Sequence, residues 1–251
     1  MGFSLPAEQS LFSSGLIRKE TVQLKEPAPT SQPTIYMNYV IRLMNAAIRL
    51  NEERGSFPVW GTCLGFETML LALSNMTTLL TYKLGDVNFI HPVKFNRNLS
   101  SAFNAVFSSE DFDLMEQNAL FCFYHEYGFM LDETLANEYV SENINILASQ
   151  ITERGDVVVA AYQHKKYPFI GVQYHPERTQ FGFSDNSRIN KTEFAIDINR
   201  IHGKIFWLLL QDTQIISNFQ TVMSHKQDMW YTFNNGQQYD ALLFKQKEAK
   251  I

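Results

Sequence analysis

The segment Phe57-Pro58-Val59-Trp60-Gly61-Thr62-Cys63-Leu64-Gly65-Phe66-Glu67 constrains this chain more than any other. An apolar run that predicts a strand turns through Gly-x-Cys-x-Gly straight into a helix-forming stretch, Phe66 to Ser74. So abrupt a strand-to-helix turn needs an unusual backbone conformation at its centre and small residues beside it. Gly61 and Gly65 meet the second need, and both are expected to be required, because a side chain at either would clash with the neighbouring strand or the helix start. Cys63 is then displayed at the rim of a sheet as a candidate nucleophile. There its sulfur meets unpaired N–H groups and the positive end of the helix dipole, an environment expected to favour thiolate over thiol. The pentapeptide alone equally suits an ordinary tight turn that buries a cysteine as a small hydrophobe.

A second segment, Pro168-Phe169-Ile170-Gly171-Val172-Gln173-Tyr174-His175-Pro176-Glu177, supplies a base and an orienting group. Phe169 to Tyr174 reads as a buried strand, and Pro176 disfavours helical geometry at His175, which predicts that the chain leaves the sheet extended. Residues two apart in extended chain share a face, so Glu177 is placed to hold the His175 imidazole in one tautomer and orientation. Cys63, His175 and Glu177 together form a candidate triad.

These two segments resemble the class I glutamine amidotransferase superfamily and, in their details, the γ-glutamyl hydrolases. Phe57 to Glu67 is similar to that family's nucleophile segment, and Tyr167-Pro168 followed by Gly171 to Arg178 is similar to its histidine segment. Phe123-Tyr124-His125 stands where the family has a triplet whose histidine lines the substrate cleft. The resemblance covers roughly Tyr36 to Phe206. It implies attack of the Cys63 thiolate on the γ-carbonyl of a glutamyl isopeptide such as folylpoly-γ-glutamate, with His175 as acid and base, Glu177 as its orienter, a γ-glutamyl thioester, and substrate contact at His125. One oxyanion donor would be the Leu64 N–H, directly after the nucleophile. The family's second donor lies in a Pro-Gly-Gly-like turn upstream of the elbow. The best match here, Leu5-Pro6-Ala7-Glu8, replaces both glycines, and the family's first strand, helix and strand have no room before Met1. The chain is therefore expected to lack the N-terminal part of that fold and to have weak or absent activity. Two other readings stay open: an inactive homologue acting as a binding protein, and a glutaminase domain feeding ammonia to a synthetase.

With 251 residues, 45% of them hydrophobic and 14% aromatic, the chain can bury one sizeable core and is read as one domain, residues 1–34 being divergent or loop-rich and 212–251 a C-terminal extension. Ile35 to Arg54 predicts an amphipathic helix ending near Gly55. Strands are predicted at Thr78–Tyr82, Val87–Phe95, Ala119–Tyr124, Ile144–Thr152, Val157–Gln163 and Phe169–Tyr174, short helices at Ser101–Phe107 and at Asp111–Gln117 with Ser109 or Asp111 as cap, and a long helix at Glu193–Leu210. Alternating strands and helices predict an α/β fold: a three-layer, open, mostly parallel sheet with helices on both faces, which the resemblance specifies as amidotransferase-like and flavodoxin-like.

The net charge of −5 and the lack of a basic stripe argue against nucleic acid as a partner. With Cys63 used in the elbow and Cys122 the only other cysteine, no disulfide is expected. His91, His164, His202 and His225 have no metal-ligand spacing, so no metal or cofactor is expected. No 18-residue apolar stretch predicts a membrane span. The expected partner is a γ-glutamyl substrate, with a homodimer as a candidate assembly. The resemblance implies lysosomal, vacuolar or extracellular residence, whereas Met1 to Glu8 reads as no secretory signal and points to the cytoplasm if it is the authentic start. Asn75, Asn98 and Asn190 stand in N-glycosylation triplets.

Overall fold

The computed structural model describes residues 34–74, 82–84, 89–181, 188–211, 229–234 and 237–244. The Leu5–Glu8 turn, Asn75, His225, most of the strand expected at Thr78–Tyr82 and the start of that expected at Val87–Phe95 lie outside them. Helix α1 (Ile35–Arg54) has the bounds its periodicity predicts. The Thr34 hydroxyl accepts the Met37 N–H at 3.2 Å to open it, and Gly55, with φ of 93°, ends it. The chain continues through β1 (Val59–Thr62), turns at Cys63 and enters α2 (Leu64–Leu73), two residues earlier than predicted.

Three short strands follow, β2 (Tyr82–Lys83), β3 (Phe89–His91) and β4 (Lys94–Phe95), then α3 (Ser109–Gln117), β5 (Phe121–Phe123), β6 (Tyr127–Gly128), α4 (Leu131–Ala136) and α5 (Glu138–Asn143). The long strands β7 (Ile144–Ile151) and β8 (Val157–His164) lead to β9 (Phe169–Val172), α6 (Pro176–Phe181) and α7 (Glu193–Gln211). Within the C-terminal extension, β10 (Met229–Asn234) and β11 (Gln237–Phe244) pair antiparallel. Two local expectations are corrected. Residues 101–107 form successive turns rather than a helix. There the Ser101 hydroxyl accepts the Asn104 N–H and the Asn104 amide donates to the Arg97 carbonyl, so side chains take up backbone groups that a helix would use. Helix α3 is capped by Ser108, one residue before the predicted candidates, and Asp111 is the reciprocal partner in its capping box.

The central sheet has the order β1-β9-β8-β7-β4. The α/β class stands as read, but the sheet is mixed rather than mostly parallel: β1 and β9 run parallel, and the other three pairings are antiparallel. For the two pairings made by β8 the reason is loop length. A parallel neighbour needs a crossover of a dozen or so residues. The β7–β8 link is instead a tight turn through Gly155, at φ 84°, and the β8–β9 link runs only from Lys165 to Pro168.

Helices cover both faces. On one, Met44 and Ala47 of α1 and Phe66, Met69 and Leu70 of α2 pack with Val159, Tyr162 and Phe169. On the other, Ala195, Ile198 and Ile205 of α7 and Phe112 and Met115 of α3 pack with Phe95, Phe121, Ile170 and Val172. The register that positions the site is that of β1 and β9. Gly61 pairs with Gly171 and Thr62 with Val172, so both strands end at the same rim. Gly171 lets the Tyr162 ring approach β9 closely, since a Cβ there would lie 2.5 Å from it. The Tyr162 hydroxyl then donates to the Phe66 carbonyl at 2.8 Å, tying the first turn of α2 to the sheet.

Candidate active site

Cys63 has φ 53° and ψ −112°, and among the described residues it is the only non-glycine with positive φ. An L-residue adopts such a conformation only when its surroundings over-determine it. Here the Cys63 N–H donates to the Val172 carbonyl of β9 at 2.9 Å, and the Cys63 carbonyl accepts the Glu67 N–H at 3.1 Å. A Cβ on Gly61 would lie 2.7 Å from the Gly65 carbonyl oxygen, so this glycine is demanded by the turn. The same demand, expected of Gly65, does not hold: a Cβ there meets nothing within 4 Å.

The Cys63 sulfur points to the Tyr124 carbonyl, 3.6 Å away. Burial, and after it the charge of Glu67, push the thiol up to about 11, while a hydrogen bond from the Leu64 backbone N–H and the charge of Arg178 pull the other way. The expectation that the helix start favours thiolate is thus reversed in the free protein, where desolvation outweighs the donors at the head of α2. The Leu64 N–H faces the sulfur.

His175 is anchored through its N–H, which donates to the Cys122 carbonyl in the middle of β5 at 2.8 Å. Its Nδ1 lies 2.7 Å from Glu177 Oε1. With Nδ1 donating to the carboxylate, Nε2 carries the lone pair, and it is buried without a hydrogen-bond partner. The backbone route to this pair differs from the extended chain read from the sequence. Pro176 is the first residue of α6, a position that its fixed φ and missing N–H suit, and imidazole and carboxylate meet across the start of that helix. Burial alone would raise the Glu177 carboxyl; the His175 hydrogen bond and charge, with smaller help from backbone and Arg178, outweigh it and hold the group below its ordinary value.

His125 follows Tyr124 in the loop between β5 and β6, at the same rim, buried, with Nδ1 2.6 Å from the Tyr127 carbonyl and its ring 5.7 Å from that of Phe123. Three strand ends therefore converge: β1 brings Cys63, β9 brings His175 and β5 brings Tyr124 and His125. The sequence reading passed over three neighbours. Arg178 lies over the Tyr124 ring at 4.6 Å, and Glu67 is buried against Gln173. Glu67 and Arg178 stand inside the quoted motifs, but nothing in the sequence marked Gln173 as Glu67's partner. Behind Glu177, between β1, α6 and α7, lies a cavity of about 640 Å³ lined by Trp60, Thr62, Asn199, His202 and Phe206 among others.

His202 and His164 pack within the core. His202 receives the Tyr174 hydroxyl at 2.8 Å among the rings of Trp60, Phe103 and Phe121, and burial pushes it down to about 4. His164 accepts the N–H groups of Lys166 and Tyr167 at Nδ1, and burial, with Lys166, pushes it down to about 4 as well. Cys122 is buried in β5, and both cysteines are free thiols. Among the described residues, no group of three or more His, Cys, Asp or Glu is placed to hold a metal.

Elbow, paired histidine and α/β frame together define a class, and comparison with known proteins agrees: residues 37–186, more than half of the chain, match the family of class I glutamine amidotransferases, to which this chain belongs. Among its relatives are γ-glutamyl hydrolase 1 of Arabidopsis thaliana, 29% identical over 168 residues, and the human γ-glutamyl hydrolase, 28% identical over 153. These alignments cover 66% and 61% of this chain and 47% of each relative. The mouse γ-glutamyl hydrolase is 25% identical over 182 residues, 71% of this chain and 55% of its own length. The chain is a γ-glutamyl hydrolase-like member of the family, and it spans about half the length of the curated relatives it matches.

Proposed function

We propose that the chain carries the catalytic centre of a cysteine hydrolase that cleaves γ-glutamyl amide bonds, folylpoly-γ-glutamates being the substrate class that the resemblance of its motifs implies. The observation that carries this reading is the forced backbone at Cys63 facing a rim where His175 is already hydrogen-bonded to Glu177. Because the thiol holds its proton in the free protein, the nucleophile is formed on demand: His175 Nε2 takes the Sγ proton as sulfur attacks the γ-carbonyl carbon. The oxyanion is met by the Leu64 N–H. His175 then delivers the proton to the leaving amine, which departs as glutamate or a short γ-glutamyl chain; a γ-glutamyl thioester remains, and water activated by His175 hydrolyses it, freeing the shortened acyl chain as its γ-carboxylate and restoring the thiol. Glu177 fixes the tautomer throughout, and His125 lines the substrate side. Lysosomal, vacuolar or extracellular residence goes with this reading; among the described residues no helix is long and apolar enough to cross a membrane.

The family match also favours a second reading, a glutaminase acting on free glutamine. Assay of purified protein against poly-γ-glutamate and against glutamine separates the two. Weak release of glutamate from the polymer alone, abolished in Cys63→Ala, is expected; turnover of glutamine alone would favour the second, and activity that survives in Cys63→Ala would remove the assignment of the nucleophile.

A further inference from the structure

Glu67 lies one helical turn behind Cys63 and is only 8% exposed. Its partner is Gln173, wholly buried where β9 ends, whose Nε2 donates to Glu67 Oε1 at 2.9 Å. The other half of that amide is the informative part: Gln173 Oε1 is buried without a hydrogen-bond partner. A buried polar atom left unpaired costs about 1–3 kcal/mol. An ionised carboxylate can only accept and offers this oxygen nothing, whereas a protonated carboxyl can donate to it. The Gln173 N–H to Glu67 Oε1 and the Glu67 O–H to Gln173 Oε1 would close a cyclic acid–amide pair in which both side chains are satisfied. Burial works in the same direction and raises the carboxyl to about 7, against the pull of the Gln173 hydrogen bond.

The geometry points to Glu67 as a positioning residue that stores a proton against Gln173, so that a carboxylate opposes ionisation of the Cys63 thiol only once that proton has left. This rests on the proposed role of Cys63 as nucleophile. Around the pair stand Tyr162 of β8, its hydroxyl committed to the Phe66 carbonyl, and the uncharged Leu84 and Gly128. Beyond the thiol stand Glu177 and Arg178 of α6, which respectively oppose and favour the thiolate, together with His175. Below neutrality Glu67 is neutral, and transfer of the Sγ proton to His175 separates charge against one anion fewer. Above neutrality its carboxylate resists that transfer. Hydrolysis is thereby slowed by about tenfold on the alkaline side of neutrality, and that decline in its pH profile belongs to Glu67.

The test compares the unaltered protein with Glu67→Gln, which keeps the shape and the paired hydrogen bonds but carries no charge at any pH. The first readout is the rate at which iodoacetamide alkylates Cys63, resolved from Cys122 by peptide mass and followed across pH. In Glu67→Gln, alkylation at alkaline pH should be about tenfold faster, equivalent to a fall of about one pKa unit, with Cys122 unchanged. The second readout is the infrared carbonyl band of a protonated carboxyl in protein labelled with carbon-13 glutamate. It should be present in acid and lost as the pH rises through about 7. Superimposable alkylation profiles, or no such band, would overturn the proposal; since the band is read on the unaltered protein, it decides alone if the variant does not fold. Neither readout needs turnover. A protein inactive on γ-glutamyl substrates that shows both signals leaves the pair standing and removes the hydrolase reading, and an active protein that shows neither removes the pair only.

Discussion

At the Cys63 sulfur, a backbone in a disfavoured region and the desolvation of the elbow act on one atom: the first exposes it to the rim, the second keeps its proton on. Cys122 is pushed up to about 11 by burial as well, so intrinsic acidity does not distinguish the two thiols, and access does. Cys63 is half-buried at the rim, whereas Cys122 is 2% exposed within β5. Iodoacetamide is expected to label Cys63 first, and equal labelling in the folded protein would count against the elbow. The proposed roles also separate the other two residues. Loss of His175 should lower kcat as much as loss of Cys63, whereas Glu177→Gln should be roughly 10²-fold less damaging, because an imidazole without its orienter still reaches the sulfur part of the time. Steady-state kinetics of variants verified as folded would check this, and equal losses would deny Glu177 the orienting role. All three residues were legible because each stands in a short stretch whose neighbours in sequence are also its neighbours in space. Glu67 and Gln173 were not legible as a pair, being 106 positions apart. Only the register of β1 against β9 brings them together, and no local pattern encodes that register.

Among the elements, those with strong periodicity were read with nearly correct bounds, as α1 and α7 show, while strand direction was read as mostly parallel where three of the four pairings are antiparallel. Direction was nevertheless written in the links: Glu153-Arg154-Gly155-Asp156 and Lys165 to Pro168 are too short for crossovers and therefore encode antiparallel neighbours. Pro176 shows the opposite case, in which a proline read as keeping the chain extended serves as the opening residue of a helix. The elbow offers a sharp test, since its two glycines look alike in sequence and differ in the fold. Gly61→Ala places a methyl against the Gly65 carbonyl and should destabilise by about 1–3 kcal/mol. Gly65→Ala meets open space within the first turn of α2 and should be neutral or stabilising by up to about 1 kcal/mol. Urea midpoints of the two variants measure the difference, and similar midpoints would mean that the carbonyl of Gly65 can move aside.

For the molecule as a whole, the two apolar layers bury histidines that fold as neutral bases, and this sets an acid limit to stability. His164 and His202 are held at about 4 against an ordinary 6.5, so between those values the unfolded chain binds more protons than the folded one. Stability is therefore complete above about pH 6.5 and falls as the pH drops towards 4. Glu67, raised to about 7 from 4.5, has the opposite sign and contributes stability that is lost as the pH rises through 7. Two groups outweigh one, and the midpoint of urea unfolding is expected to fall from about pH 6.5 to about pH 4, with a shallower slope in His202→Gln. A flat profile would mean that these imidazoles are charged in the fold. The contorted peptide at Cys63 has its own consequence at this scale. Its conformation survives only while β9, Tyr162 and the first turn of α2 hold it from three sides, so the elbow is the part of the molecule that gains most by letting go. On gradual heating, competence should then disappear before helicity does: a brief excursion of a few residues to relaxed dihedrals would silence the molecule while its layers remain packed, and cooling from that point would restore it in full.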